Sequence, residues 1–148
     1  MVPFATTLEV RDCCLCLHAQ RSARALARRF DEVLRPVGLT NQQFSLLMAL
    51  NRPEPPTMAP VAELLGLDRT TLTAALKPLE RRKLLLIETD KVDRRSRRLR
   101  LTDAGHAALL KALPIWTRTH AEIGAAHPDI DMDQLRAWLR QLVSCDTD

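Results

Sequence analysis

The apolar positions between residues 68 and 83 recur with the period of a helix. Asp68 begins this stretch, and its carboxylate can accept the free N–H groups of a first helical turn. One face of the predicted helix is apolar and comprises Leu72, Ala75, Leu76 and Leu79. The opposite face is short or cationic and comprises Arg69, Thr70, Thr73, Ala74 and Lys77, with Thr71 beside them. Side chains of this kind suit a helix that lies in a groove of DNA.

Two short strand-like runs follow this helix. The first, Leu84 to Glu88, is apolar, and the second, Leu99 to Leu101, alternates between apolar and polar residues. Residues 89 to 98 lie between the two runs and are polar and crowded with arginine. A helix, a strand, a basic tip and a second strand, in that order, are typical of a winged helix.

Two shorter helices are predicted before the cationic helix. The sequence T-x-x-Q from Thr40 to Gln43 is a capping box, and the helix that it opens continues to about Asn51. Thr57 is expected to cap a second helix, Met58 to Leu65, which Gly66 ends. A short helix, a tight turn that contains glycine and a cationic helix predict a helix-turn-helix.

A long amphipathic helix is predicted near the start of the chain. It extends from about Leu8 to Leu34 after a loose arm of residues 1–7, and Thr6 or Thr7 is expected to cap it. Pro36 and Gly38 follow directly and are expected to end it. Its apolar stripe needs a partner to pack against.

The C-terminal part of the sequence predicts two further helices. Thr102 is expected to cap the first, which continues to about Ala125 with a kink or a break at Pro114. The second covers about Met132 to Val143 and is also amphipathic. Apolar stripes on the first and last helices of the chain favour dimerisation through these helices.

The predicted fold is therefore mainly α with a small β wing, in a single domain of residues 1–148. Residues 40–101 form a winged helix-turn-helix lobe that binds DNA. Residues 8–36 and 103–145 are the expected dimerisation helices. A two-fold homodimer would bring two cationic helices and two wings to successive grooves of double-stranded DNA.

Positive charge is concentrated in the predicted DNA-binding elements. Residues 68–100 contain eleven Lys or Arg and five Asp or Glu, a net charge of +6, whereas the whole chain is +4. The other residues together therefore carry −2. A local cationic surface is expected of a protein that displaces counterions from phosphates. The competing interpretation is a solvated charged hairpin on a helical interaction protein that does not bind DNA.

Other functional classes have little support in the sequence. It contains no G-x-S-x-G, P-loop, Gly-rich dinucleotide turn or H-E-x-x-H motif, so we expect neither an enzyme nor a cofactor. No apolar run is long enough to cross a membrane, and no signal segment opens the chain. Four cysteines, three of them clustered, do not resemble a disulfide framework, and we expect a cytoplasmic protein.

The wing sequence resembles the signature of the MarR family of transcriptional regulators, D-x-R followed by L-T-x-x-G. The matching positions are Asp93, Arg95, Leu101, Thr102 and Gly105, within a resemblance that extends from about residue 8 to the C-terminus. It implies that Arg95 enters the minor groove and that Asp93 orients it, which suits a guanidinium in a narrow, negative groove. The additional arginines Arg94, Arg97 and Arg98 are expected to contact phosphates. The resemblance also implies a dimer and, in the family's usual mode, repression.

A cluster of cysteines lies early in the first predicted helix and could pack in a dimer interface as small apolar residues. Its members are Cys13, Cys14 and Cys16, with His18 nearby. In an unbroken helix Cys13 and Cys16 would share one face, and Cys14 and His18 another.

Two sensing roles compete with packing for these cysteines. Organic-peroxide sensors of the MarR family carry a reactive cysteine at the position of Cys16 and orient the oxidised form with tyrosines. This chain has no tyrosine, and Gln20 and Phe30 stand where those tyrosines are expected. The alternative is a soft metal or metalloid bound by thiolates, which would need a partner subunit or Cys145 to complete its site.

A small-molecule effector is a further possibility, compatible with each of these roles. Many members of the family bind small aromatic acids or phenols between the DNA-binding lobe and the dimer helices. The residues expected to line such a cleft are Arg11, His18, Arg24, Trp116 and His120. A ligand or an oxidised thiol would then stabilise a dimer whose lobes no longer match adjacent grooves of DNA.

Overall fold

The computed structural model describes residues 1–143 of the chain. Its helices are α1 (Phe4–Cys13), α2 (Leu15–Leu34), α3 (Asn41–Leu50), α4 (Met58–Leu65), α5 (Arg69–Arg81), α6 (Asp103–Ala126) and α7 (Met132–Val143). A 3₁₀ turn, Arg35–Val37, follows α2, and the strands are β1 (Leu85–Thr89) and β2 (Arg97–Leu101). The expected mainly helical fold with a β wing is confirmed. No helix within residues 1–143 is long and apolar enough to cross a membrane.

The first helix differs from its prediction at two points. Helical structure begins at Phe4 rather than Leu8, because Pro3, with its φ of −63°, occupies the N-cap position and its carbonyl accepts the N–H of Thr6 at 3.1 Å. Neither Thr6 nor Thr7 is therefore the cap. The helix is also broken at Cys14, whose backbone is extended and whose Sγ accepts the N–H of Leu17 at 3.4 Å. Cys14 thus takes the role that a serine or threonine has at other helix starts.

The helix-turn-helix begins and ends as predicted, with one exception. The capping box is present, since Thr40 Oγ1 accepts the N–H of Gln43 and the Gln43 side chain accepts the N–H of Thr40, both at 3.2 Å. Gly66 ends α4 in the left-handed region, with a φ of 62°. Asp68 caps α5 by accepting the N–H of Thr71 at 2.8 Å. Thr57 makes no cap hydrogen bond, and its backbone pairs with Arg98 in an isolated antiparallel bridge.

The wing is an antiparallel hairpin in which Leu85 faces Leu101 and Thr89 faces Arg97. The predicted first strand is shifted by one residue, and the predicted second strand begins two residues too late. Arg97 and Arg98, which were expected in the tip, belong to β2. The N–H of Leu99 donates to the carbonyl of Pro56 at 2.9 Å, so β2 also pairs with the turn that precedes α4.

The core is built mainly from leucine and lies between α3, α4, α5, the wing and the adjoining ends of α2 and α6. Its fully buried members include Leu34, Leu46, Leu47, Leu50, Val61, Leu72, Leu76, Leu79, Leu85 and Leu99. Leucine-rich helices that pack on one another are expected in a chain with 3% aromatic residues.

The junction between α5, β1 and α6 is unusually close. A Cβ on Gly105 would lie 2.2 Å from the carbonyl oxygen of Leu84 and 2.6 Å from Leu101 Cδ1, so only glycine fits there. Thr102 caps α6 by accepting the N–H of Gly105 at 3.0 Å, and its hydroxyl donates to the carbonyl of Lys83 at 2.7 Å. The L-T-x-x-G part of the wing sequence is therefore the connection that fixes α6 against the hairpin.

The C-terminal helices follow their predicted limits. α6 continues through the exposed Pro114 without a break. Asp131 caps α7 by accepting the N–H groups of Asp133 and Gln134 at 2.9 and 3.0 Å. No residue of α1 or of α7, within residues 4–13 and 132–143, is buried.

Candidate nucleic-acid interface

Helix α5 divides cleanly into a buried face and a solvent face. Leu72, Leu76 and Leu79 are buried against the core. The residues predicted to meet DNA are all exposed: Arg69, Thr70, Thr71, Thr73, Ala74 and Lys77. Two of these have local partners. The Thr71 hydroxyl donates to Asp68 Oδ2, and the Thr73 hydroxyl donates to the carbonyl of Arg69, each at 2.7 Å.

The carboxylate that caps α5 is held in its ionised form. The backbone N–H and then the hydroxyl of Thr71 lower the pKa of Asp68 below its ordinary value. This fixed negative charge lies at the start of the helix, on the turn that follows Gly66. It offsets part of the positive potential of the helix N-terminus. The cationic character of the exposed face therefore depends on Arg69 and Lys77.

The tip of the wing is a tight turn organised by aspartates. Asp93 Oδ1 accepts the backbone N–H of Arg95 at 3.0 Å, and the N–H of Ser96 donates to the carbonyl of Asp93 at 2.9 Å. Asp93 therefore contacts the backbone of Arg95, whereas the family resemblance implied that it orients the side chain. Arg94 and Arg95 are both exposed.

The two arginines of β2 have different environments. Arg97 is exposed, and its Nη1 donates to the Thr89 hydroxyl at 2.8 Å. Arg98 is partly buried; its Nε donates to Asp90 and its Nη1 to the carbonyl of Pro55 at 2.9 Å. Arg98 was predicted to contact phosphate; in this structure its guanidinium is paired with Asp90 and the Pro55 carbonyl, and its side chain is still 39% exposed.

Asp90 is the important residue that the sequence did not reveal. It is only 5% exposed, and it accepts the N–H groups of Val92 and Asp93 at 2.7 and 2.8 Å in addition to Arg98. The available signal was an aspartate at the end of a strand, where its side chain commonly accepts the backbone N–H two residues later. The partnership with Arg98, across the hairpin, leaves no local signal.

A groove of about 480 Å³ lies between the start of α4, the N-terminal end of α5 and the wing, and Met58, Ala59 and Ala62 line its α4 side. Arg69 lines it from the helix, and Arg95 and Arg97 line it from the hairpin, together with Asp93. The structure thus brings together cations that are 26 residues apart in sequence, from Arg69 to Arg95. Three guanidinium groups around one groove form a surface that matches a polyanionic backbone.

The cysteine cluster lies at the break between α1 and α2. Cys13 ends α1, Cys14 caps α2, and Cys16 lies in the first turn of α2. The break means that Cys13 and Cys16 do not share one helical face, as an unbroken helix would require. Cys13 and Cys16 are exposed, Cys14 is half-buried, and Gln20 Nε2 donates to Cys16 Sγ at 3.2 Å. Cys145 lies outside the described residues.

The residues expected to line an effector cleft fall into two groups. Trp116 and His120 are adjacent, with ring centroids 4.4 Å apart, and a cavity of about 320 Å³ lies beside Trp116 and Phe44. The other three make hydrogen bonds within α1 and α2: Arg11 with Asp12, His18 with the Asp12 carbonyl at 3.1 Å, and Arg24 with Gln20 at 3.1 Å. Within residues 1–143, no group of three or more His, Cys, Asp or Glu is arranged to hold a metal ion.

Comparison with known proteins agrees with this geometry. The model of the MarR family matches residues 37–96. Transcriptional repressor MprA of Escherichia coli strain K12 is 31% identical over 133 residues, covering 88% of this chain and 73% of that protein. The organic hydroperoxide resistance transcriptional regulator of Bacillus subtilis strain 168 is 33% identical over 97 residues, or 66% of this chain and 65% of that protein. The crystal structure of the M. tuberculosis regulator MosR in complex with DNA superposes with a TM-score of 0.80 at 37% identity, covering 88% of this chain and 94% of that one.

Proposed function

The chain belongs to the MarR family, and on that premise we propose that it is a homodimeric transcriptional repressor. It binds a pseudo-palindromic operator in double-stranded DNA and is released by a small ligand or by oxidation of a thiol. The observation that carries the proposal is the groove between α5 and the wing, where Arg69, Arg95 and Arg97 surround a space open to solvent. The related MprA is described as a repressor, and MosR has been solved with DNA.

Each part of the interface then has a different task. The exposed face of α5 enters the major groove, where Arg69, Thr70 and Ala74 reach the edges of bases. Arg95 enters the adjacent minor groove from the wing tip. Lys77, Arg94 and Arg97 neutralise phosphates and fix the register without reading sequence.

The dimer follows from surfaces that one chain leaves uncovered. Phe4 is 73% exposed and Trp138 57%, and neither α1 nor α7 contributes a buried residue within residues 4–13 and 132–143. Large apolar side chains that a helix leaves exposed are often covered in a protein–protein interface. A second copy that covers these helices would also set the distance between the two DNA-binding lobes.

DNA binding is tested by selecting the sequences that the protein binds from a random pool of DNA duplexes. The affinity for the selected duplex is then measured as a function of salt concentration. Arg95→Ala should weaken binding to the selected duplex by about a hundredfold, the scale of a lost minor-groove contact. Lys77→Ala should weaken binding and reduce the slope of log K against log salt by about 0.9, the loss of one phosphate contact. Arg118→Ala on α6, whose side chain is 69% exposed and pairs with Glu122, is the matched control. Selection of no sequence, or wild-type affinity in Arg95→Ala, would contradict the proposal.

Thiol oxidation is the first of two candidate signals. It is supported by the exposure of Cys16, by the hydrogen bond from Gln20, and by the similarity to an organic hydroperoxide resistance regulator. Stoichiometric cumene hydroperoxide should release wild-type protein from DNA and leave Cys16→Ser bound. Cys13→Ser and Cys14→Ser are the controls for the two neighbouring thiols. An unchanged DNA affinity of oxidised wild-type protein would exclude this signal.

The second candidate signal is a small aromatic acid or phenol in the cavity beside Phe44 and Trp116. The cavity is lined mainly by apolar groups and is large enough for one aromatic ring. The chain contains two tryptophans, so Trp138→Phe leaves Trp116 as the only indole reporter. A panel of benzoates and phenols should include ligands that quench Trp116 fluorescence and lower DNA affinity in parallel. Quenching without any effect on DNA binding would show a cavity that is not coupled to release.

A further inference from the structure

The wing is fastened to the turn before α4 through Arg98 and Leu99, in the half of β2 nearer the tip. The Arg98 guanidinium joins two parts of the chain, donating to Asp90 through Nε and to the Pro55 carbonyl through Nη1 at 2.9 Å. The backbone adds two contacts, the Leu99 N–H to the Pro56 carbonyl at 2.9 Å and the bridge between Thr57 and Arg98. The wing and the α3–α4 turn therefore form one unit.

The tip of the wing has no apolar packing of its own. Residues 91–95 are all exposed, and the apolar member of that stretch, Val92, is 95% exposed. Nothing hydrophobic can therefore hold the tip in one shape. Its conformation depends on polar contacts, most of which involve Asp90 or Asp93.

These contacts form a continuous path from Arg98 to Arg95. Arg98 donates to Asp90, and Asp90 accepts the N–H groups of Val92 at 2.7 Å and Asp93 at 2.8 Å. The Asp93 carboxylate in turn accepts the N–H of Arg95 at 3.0 Å. Charge-assisted hydrogen bonds of this kind are shorter and stronger than neutral ones, so each link restricts the next.

We propose that Asp90 and Arg98 are positioning residues, which hold the wing tip so that Arg95 is presented to DNA at a fixed distance from α5. This inference rests on the proposed function, because it concerns how the wing binds. It reassigns Arg98 from a phosphate contact to a partner of Asp90 and of the Pro55 carbonyl. Without the Asp90–Arg98 pair, Arg95 is still present, but the tip that carries it samples other conformations. The affinity for DNA is then reduced in proportion to the fraction of molecules whose tip is correctly placed.

The electrostatics of Asp90 support this assignment. The backbone N–H of Asp93, the Arg98 guanidinium and the backbone N–H of Val92 together lower the pKa of Asp90 below its ordinary value. Asp90 is therefore an anion throughout the neutral range. The buried Asp90 carboxylate accepts hydrogen bonds from two backbone N–H groups and one guanidinium, all of them in the wing.

The salt dependence of DNA binding separates positioning from phosphate contact. Arg98→Met should lower affinity for the selected duplex about tenfold, the scale of lost hydrogen bonds to a charged group, without changing the slope of log K against log salt. Arg97→Met is the matched control, one residue away on the same strand with an exposed side chain. It should lower the slope by about 0.9. A comparable drop in slope for Arg98→Met would mean that Arg98 contacts phosphate, and would overturn the inference.

A double-mutant cycle tests whether the pair acts through Arg95. Arg98→Met or Asp90→Asn should weaken the wild type about tenfold but change affinity by less than about twofold in an Arg95→Ala background, because coupled residues are not additive. If the affinity losses of the single variants multiply in the double variant, Arg98 and Asp90 act independently of Arg95, and the proposal is overturned.

A measurement without DNA keeps this inference distinct from the proposed function. In Arg98→Met, hydrogen exchange at the amides of Val92 and Asp93 should accelerate, while the amides of Leu86 and Arg100, paired with each other across the hairpin, stay protected. Unchanged exchange at Val92 and Asp93 would overturn the positioning role even if DNA binding is confirmed. Accelerated exchange in a protein that binds no DNA would support the positioning role and contradict only the proposed function.

Discussion

The DNA-binding lobe and the terminal helices differ in how much of their apolar surface one chain can cover. Leu72, Leu76 and Leu79 of α5 and Leu85 and Leu99 of the wing are all fully buried. By contrast, α1 and α7 contribute no buried residue within residues 4–13 and 132–143. α2 buries only Phe30 and Leu34, near its C-terminal end. The lobe thus buries its apolar surface within one chain, whereas α1 and α7 leave most of their large apolar side chains exposed.

This difference separates two sources of stability. The lobe is held by its own core and by close local junctions, so its stability should not depend on protein concentration. The terminal helices expose large apolar side chains, among them Leu15 at 74% and Leu142 at 55%. Association with a second copy would cover them, and this part of the stability follows mass action.

The largest effect is expected where the lobe joins α6. Gly105→Val places a branched side chain where even a Cβ would lie 2.2 Å from the Leu84 carbonyl oxygen. The contacting atom is backbone and cannot move aside, so we expect a loss of about 3 kcal/mol in the free energy of unfolding, at the upper end for overpacking. Thermal and urea unfolding measure this loss.

Gly124→Ala is the matched control in the same helix. An added Cβ there meets nothing within 4 Å. Because alanine favours helices over glycine by about 1 kcal/mol, this variant should be slightly more stable than wild type. Equal stability of the two glycine variants would show that the junction at Gly105 is looser than described.

The next effect tests the terminal helices. Leu142→Glu places a charge on the exposed apolar stripe of α7, and we expect the dimer to weaken by about a hundredfold, or roughly 3 kcal/mol. Leu86→Glu in β1 is the control, since Leu86 is 44% exposed and belongs to the lobe. Analytical ultracentrifugation over a concentration series should give monomers for Leu142→Glu and the wild-type assembly for Leu86→Glu. An unchanged dimer in Leu142→Glu would place the interface elsewhere.

The parts of the fold that sequence predicted correctly are those with local causes. The capping box at Thr40, the glycine that ends α4 and the Asp68 cap each depend on residues within one helical turn of each other. The break at Cys14 was missed because it needs a sulfur atom to act as a helix cap, which is uncommon. The strand limits were shifted because Arg97 and Arg98, whose charge suggested a loop, pair with Thr89 and Glu88 across the hairpin.

The candidate site divides in the same way. The exposed face of α5 was predictable because its period follows from the buried leucines. The roles within the wing were not, since the charge of Arg98 alone cannot distinguish a phosphate contact from an internal pair. Its partner carbonyl on Pro55 is 43 residues away, and no sequence pattern joins the two.

A smaller effect is expected at the end of α5. Lys83 has a φ of 58°, in the left-handed region, while the N–H of Leu84 donates to the carbonyl of Leu79 at 3.0 Å to close the helix. Glycine is preferred at this position because it has no Cβ, so Lys83→Gly should raise the free energy of unfolding by about 0.5–1 kcal/mol. Lys83→Ala, which removes the charge and keeps the Cβ, should gain nothing. A similar gain in both variants would point to charge and not to backbone conformation.

The smallest effect on stability is expected at the cluster of aromatic rings where α6 meets α2 and α3, which we call the seam. The His120 ring of α6 lies 4.8 Å from Phe30 of α2 and 4.4 Å from Trp116, which stacks on Phe44 of α3 at 6.2 Å. Partial desolvation of the His120 ring, which remains exposed on one side, and to a smaller degree the positive charge of Arg136 lower the pKa of His120 below its ordinary value of 6.5. The folded state therefore binds this proton less readily than the unfolded chain does.

The sign of the pH dependence follows from that difference. Below pH 6.5 the unfolded chain takes up the proton first, so stability should fall as the pH decreases and be fully regained above pH 7. His120→Phe keeps an aromatic ring at the seam and removes the titration, while His18, His106 and His127 remain in both proteins. The melting temperature of His120→Phe relative to wild type should therefore rise from pH 8 to pH 5. A difference that stays constant over this range would mean that His120 is as accessible to protons in the folded protein as in the unfolded chain, and that the seam is open to water.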